Sequence, residues 1–350
     1  WHSRQGPMIR FAQVAAVSSL FIILARVSSG QSPLFQNSAG APLLSLQLET
    51  DLRSLFRDRG ENRAEHDARL WFSDGADSGS VKVDLRTRGI FRLKRCAFPP
   101  IRIDLPARKV EHTLFAGQDK LKLVTHCQSD RSYERNLLKE YALYRVFNVL
   151  TDSSYRVRLA RITYIDTTRA DTLTRYGFLI ESDDELAGRL NAELVESQRV
   201  HDLTTDPGYM TLVALFQYLI GNTDWSVWGR HNIEIFSDKS SHKLFAVPYD
   251  FDFSGAVNAL YAVPPEQLPI KSVRERLYRG YCQPDSILQG ALQRFRDARD
   301  SIYAVVRAVP GLSEGDARSL LRYFDDFFKA IDNRNAVQAE FVRRCRVLEQ

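Results

Sequence analysis

GNTDWSVWGRHNIEIFSDKSSHKLFAVPYDFDFSG, residues 221–255, is the stretch on which the fold of this chain turns. It carries Asp224 on one side of an expected β-hairpin and the pair Asp250/Asp252 on the other. The expected strands are His231–Phe236 and Lys243–Val247, both rich in apolar residues and joined by the polar, turn-like SDKSSH. Asn232 and Asp250 stand equally far from Ser241, so the folded hairpin is expected to set them opposite one another at its open end. An amide carbonyl and two carboxylates at one edge make an oxygen-rich set, suited to a hard divalent cation such as Mg²⁺. Asp224, on the loop ahead of the hairpin, is left free to orient or deprotonate a nucleophile. Any one of these aspartates alone reads equally well as a turn or cap residue. Spacing, hairpin and preceding helix together favour a site.

A catalytic loop, a hairpin and a metal loop in that order is the layout used by phosphoryl-transfer enzymes of the kinase type. The flanking sequence agrees. DPGYMTLVALFQYLIG, residues 206–221, is a strongly apolar helix with Leu212, Leu215, Phe216, Leu219 and Ile220. It stops at Gly221 and delivers Asp224 from a rigid support. Upstream, Val81, Val83, Leu85 and Thr87 alternate with Lys82, Asp84, Arg86 and Arg88, as in a half-buried strand. PPIRIDLP and DKLKLVTHC continue the β pattern. SYERNLLKEYALYRVFNVL then reads as a helix, and YRVRLARITYID and RYGFLIES as two more strands. That order, β-β-β-α-β-β, describes the small lobe of a kinase-like fold. Two long helical segments follow the hairpin, the second capped by Ser313. The expected fold is therefore α+β and two-lobed, protein-kinase-like, with a β-rich N-lobe at 80–181 and a mainly helical C-lobe at 182–350. Residues 31–79 form a lead-in and the start of the N-lobe.

The 350 residues are 44% hydrophobic and 26% charged, a globular balance long enough for one large or two modest domains. A net charge of +5 suits an anionic ligand such as a nucleotide and does not by itself argue for nucleic acid. At the N-terminus, Met8 and Arg10 precede an apolar run from Phe11 to Leu24 and a small-residue exit, ARVSSGQS. Such a run is short of the roughly 20 residues that span a bilayer. Residues 8–30 therefore read as a signal peptide, with 1–7 ahead of the true start; the alternative is an uncleaved anchor. No later stretch reads as a membrane span. Four cysteines in an exported chain permit two disulfides. Cys96–Cys127 and Cys282–Cys345 are favoured, because each pair lies within one half of the chain.

The two motifs GNTDWSVWGRHNIEIF and KLFAVPYDFDFSG resemble the motif pair of the spore coat protein H (CotH) family of atypical kinases. RYGFLIESDDELAGRL resembles that family's lobe-linking segment, LRTRGIFRLKRC its Arg-Gly turn near the phosphates, and KLKLV its lysine-bearing strand. The likeness runs loosely from Ser80 to Gly255. It implies that Asp224 is the catalytic aspartate and that Asn232, Asp250 and Asp252 bind Mg²⁺ or Mn²⁺. It also implies that Lys122 contacts the phosphates of ATP, held by Glu140, with Arg88 and Gly89 beside them. Lys120 and Glu134 are the alternatives for the lysine and its partner. The chain departs from the pattern in having eight positions between Asp224 and Asn232, no G-x-G-x-x-G, and Tyr249 where the family usually has Trp.

The function implied is that of an exported kinase moving the γ-phosphoryl of ATP to a Ser/Thr hydroxyl of an unidentified protein. Its rivals are a non-catalytic envelope or cell-surface binding protein and a phosphotransferase acting on a small molecule or sugar. Arg86, Arg88, Arg92 and Lys94, with Phe91 interleaved, could track a polyanion, but charge on one strand face is ordinarily solvated, and no nucleic-acid partner is expected. His231 reads as a hydrogen-bonded structural residue. Trp225 and Trp228 read as pocket lining or as packing.

Overall fold

The computed structural model describes residues 1–2, 33–36, 42–169, 171–196 and 199–347. The expected signal peptide lies outside them. Among the described residues the first half holds seven strands: β1 (Leu44–Thr50), β2 (His66–Ser73), β3 (Ser78–Thr87), β4 (Ile101–Asp104), β5 (Lys120–Val124), β6 (Val157–Asp166) and β7 (Asp171–Ile180). Short helices α1 (Leu52–Arg57), α2 (Phe91–Arg95) and α3 (Ala107–Val110) lie in the connections, and α4 (Arg131–Leu150) joins β5 to β6. The chain is α+β as expected, but this half is not the open β-β-β-α-β-β lobe. It is a closed barrel in the order β1-β2-β3-β4-β5-β7-β6. Closure comes from β1, which pairs antiparallel with β2 and parallel with β6, from Leu44↔Ala160 to Thr50↔Asp166. The barrel thus begins at Leu44 and takes in β2, both within the stretch expected as lead-in and start of the N-lobe. Alternation fills it: Val81, Val83 and Leu85 of β3 point inward with Leu46, Leu70, Ile103, Leu121 and Ile162.

The second half holds α5 (Asp183–Arg189), β8 (Ala192–Leu194), α6 (Pro207–Ile220), β9 (Ile233–Asp238), β10 (Leu244–Pro248), α7 (Asp285–Arg307), α8 (Glu314–Asp332) and α9 (Arg334–Val337). β10, β9 and β8 form a small sheet. α6 is buried over nearly its whole length. Asp206 caps its start by accepting from Tyr209 N–H, and Gly221 ends it at φ 64°. A Cβ at Gly221 would lie 2.0 Å from Tyr323 Oη, so both backbone sign and space demand glycine. The last predicted helix is broken at Asn333, which caps α9.

Between Gly255 and Pro284 the chain has neither helix nor strand and is pinned by arginines. Arg274 donates to Gly255 O at 2.8 Å and Arg276 to Tyr218 O at 3.0 Å. Both expected disulfides are present. Cys96–Cys127 joins the end of α2 to the residues before α4, and Cys282–Cys345 joins this arginine-pinned segment to the C-terminal end. Among the described residues no helix is long and apolar enough to cross a membrane.

Candidate functional site

Asp224 follows the glycine stop of α6 and is held on every side. Its N–H donates to Asn222 Oδ1 at 3.0 Å, and Asn222 is itself buried against Gln217. Arg279 donates to the carbonyls of Thr223 and Trp225, at 2.7 and 2.6 Å, and so braces both flanks. The Asp224 carboxylate lies 2.8 Å from His231 Nε2 through Oδ1 and accepts from Asn232 Nδ2 at 3.0 Å through Oδ2. The longer loop from Asp224 to Asn232 closes on itself through a backbone bridge between Ser226 and His231. Trp225 is buried under Arg279, whereas Trp228 stands exposed.

The hairpin forms close to the expected positions, one residue out of register. Ile233 pairs with Pro248, and Tyr249 N–H donates to Asn232 O at 3.0 Å. Asn232 therefore faces Tyr249 rather than Asp250. The turn is centred half a residue before Ser241, which moves every rung by one. Asn232 and Asp250 both leave the strands in the left-handed region, at φ 53° and 58°, a conformation Asn and Asp adopt more readily than other side chains. The hairpin end thus turns sharply on both strands.

The residue that organises the acidic end is Arg92. Its Nε donates to Asp252 at 2.9 Å, and its Nη2 donates to Glu140 at 2.7 Å and to Asp250 at 3.4 Å. Tyr261 Oη also donates to Asp252, and Asp250 N–H donates to Tyr144 Oη, each at 2.8 Å. Burial alone would pull the Arg92 guanidinium down, but Asp252 and Glu140 hold it well above its ordinary value. Burial pushes the Glu140 carboxyl up against the pull of Arg92. Burial and then the charge of Asp252 push Asp250 up. Arg88 lies in the same cluster, lowered by burial and supported by Asp250, and its side chain makes no hydrogen bond among the described residues. Gly89 beside it has φ 87° and open space around its α-carbon.

Sequence reasoning placed Arg92 and Lys94 on a basic strand with Arg86. They lie instead on α2, beyond the Gly89 break. The available signal was Arg88 and Arg92 four apart across a glycine.

Lys122 and Glu140 do not meet, contrary to the expected pairing. Lys122 is level with Ile180 in the β5–β7 ladder, just before the start of α5, and its Nζ holds Asp183 at 3.0 and 2.9 Å. Glu140 faces α2 and is taken by Arg92. The alternatives do not replace them: Lys120 is exposed, and Glu134 accepts from Tyr176 N–H at 2.6 Å.

No protein-family model matches the chain, and no curated protein does. Among solved structures it is similar to the Helicobacter pylori proinflammatory kinase CtkA, at 12% identity and a TM-score of 0.41, over 68% of this chain and 94% of that one. A likeness at that score carries no weight for function.

Proposed function

We propose that the chain is an exported phosphotransferase of the kinase type, moving the γ-phosphoryl of ATP to a protein Ser/Thr hydroxyl with Mg²⁺ or Mn²⁺. One observation carries this: a single hairpin end gathers Asp224, clamped by Asn232, and the Asp250/Asp252 pair, backed by two arginines. Phosphoryl transfer asks for positioning and charge neutralisation more than covalent help. The proposed donors are oxygens, as a hard cation takes, though no cluster of three or more His, Cys, Asp or Glu side chains that could hold a metal forms among the described residues. Asn232 commits its N–H to Asp224, and its carbonyl Oδ1 makes no hydrogen bond among the described residues. Asp250 Oδ1 accepts from Arg92 Nη2 at 3.4 Å while 46% of its side chain stays exposed. Three carboxyl groups face two guanidinium groups here, so oxygen donors outnumber the cations around them. A divalent ion, when bound, neutralises phosphate oxygens. Arg88, with the open backbone of Gly89, binds phosphate. Asp224, fixed by its two neighbours, orients the acceptor hydroxyl and takes its proton. Two disulfides suit an oxidising compartment, in keeping with export.

Two features favour a non-catalytic binding protein instead: Arg92 already occupies the acidic pair, and the Lys122–Glu140 link is missing. Thermal shift with ATP and Mg²⁺ or Mn²⁺ separates the two. Ligand at a hundredfold excess over Kd adds about 2.7 kcal/mol of stability. A metal-dependent rise in Tm that is lost in Asp250→Asn is expected. No rise with any nucleotide would refute the phosphotransferase.

A further inference from the structure

A second polar cluster lies where β7 passes into α5. Lys122 Nζ bridges both oxygens of Asp183, and Tyr155 Oη donates to Asp183 Oδ1 at 2.7 Å. Glu234 lies near the Tyr249 side chain and close enough to Asp183 and Lys122 to feel both charges. The Tyr155 and Tyr249 rings meet edge to face at 6.1 Å, and Lys122 Nζ stands 5.9 Å from the Tyr155 ring. Lys122 and Asp183 are 34% and 27% exposed, so the cluster is reachable. Tyr249 precedes Asp250 in the chain. Tyr249 feels Arg88 and Asp250 on one side and Asp183 and Glu234 on the other, so a nucleotide with phosphates at Arg88 and Asp250 can reach this cluster with its base.

The hydrogen-bonding capacity of the cluster is unequal. An ammonium has three donors, two of them already on Asp183, which leaves one. A carboxylate has about four acceptor sites, three of them filled on Asp183, so one remains on Oδ2 and more remain on Glu234. The free capacity is one donor beside acceptors on two carboxylates. The Watson–Crick edge of guanine, with O6 as acceptor and N1–H and N2–H₂ as donors, fills all of it. Adenine offers one amino donor and one acceptor, and leaves a partly buried carboxylate without a partner.

Building on the phosphotransferase reading, we propose that the preferred nucleotide carries guanine, read by Lys122, Asp183 and Glu234. The test is calorimetric titration of the full chain with Mg²⁺ and GTP, ATP, inosine triphosphate or inorganic tripolyphosphate. GTP is expected to bind about tenfold or more tighter than ATP, since a site built for a hydrogen bond rejects the ligand that lacks it. Inosine triphosphate keeps O6 and N1–H but lacks the 2-amino group, and falls between them. Asp183→Asn, checked for an unchanged Tm, should bring GTP and ATP within about threefold of each other. The ranking on the unaltered chain stands whether or not that variant folds. ATP binding as tightly as GTP, or tripolyphosphate as tightly as either, overturns the base reading and leaves the phosphotransferase standing. Binding of none of the four overturns both.

Discussion

Replacing Arg92 with Met keeps most of the stem and removes the charge from the centre of the acidic cluster. The Arg92 side chain is 11% exposed, Glu140 2% and Asp252 6%, so the carboxylates cannot turn to water for compensation. Only Arg88 would remain against three carboxylates. Removing one partner of a buried ion pair costs about 3–5 kcal/mol. With roughly 300 folded residues at about 2.1 cal/mol/K each, that is a fall in Tm of about 5–8 °C.

The sign of the pH dependence follows from the raised carboxyls. A group whose pKa is higher in the folded state takes up protons on folding, so its contribution is present at low pH and lost as pH rises through the folded value. Glu140 is already pushed from 4.5 to about 8 by burial with Arg92 opposing, and it climbs further without Arg92. The part of the Arg92→Met deficit that comes from Glu140 should therefore grow as the pH rises above 8, where Glu140 ionises in the unsubstituted chain but stays protonated without Arg92, and level off below it. Thermal melts followed by circular dichroism at several pH values from 7 to well above 8 measure it. A Tm within about 1 °C of the unsubstituted chain at high pH, or a deficit that does not change with pH, would refute the role given to Arg92.

His126 is buried with Nδ1 unpartnered, and burial and then Arg175 lower it from 6.5 to about 4. The unfolded chain takes the proton first, so up to about 3 kcal/mol should be lost as pH falls from 6.5 to 4. His126→Gln should flatten that limb; an unchanged limb excludes His126 as its source. The Cys96–Cys127 bridge closes a separation of 31 residues, worth roughly 3–4 kcal/mol by chain entropy. The double serine variant should melt correspondingly lower in non-reducing buffer and lose the linked peptide pair in mapping; an equal Tm would remove the bridge from the stability of the barrel.

What the sequence made legible was whatever has a local signature. α4 and α6 announced themselves by period and caps, and the hairpin by two apolar runs around a polar turn. The register slipped by one because turn geometry, not symmetry about Ser241, sets the rungs. Barrel closure was invisible, since β1 meets β6 across more than a hundred residues and nothing in either strand names its partner. Arg92 was missed for a related reason: its three carboxylates come from α4 and from the turn after β10, and a five-residue helix leaves little periodicity to read. Lys122 was recognised as a strand lysine, but its partner depends on where β7 ends, which the spacing between motifs does not give.

The closed barrel has a mechanical consequence. A slit cylinder twists easily along its cut, whereas a seamless one resists torsion because every wall element is braced on both sides. The ladder from β1 to β6 is the seam that removes the cut. Lys122 on β5, and Arg88 just past the end of β3, are carried on this stiff tube. Their spacing is then set by the closed wall and resists bending of any single strand.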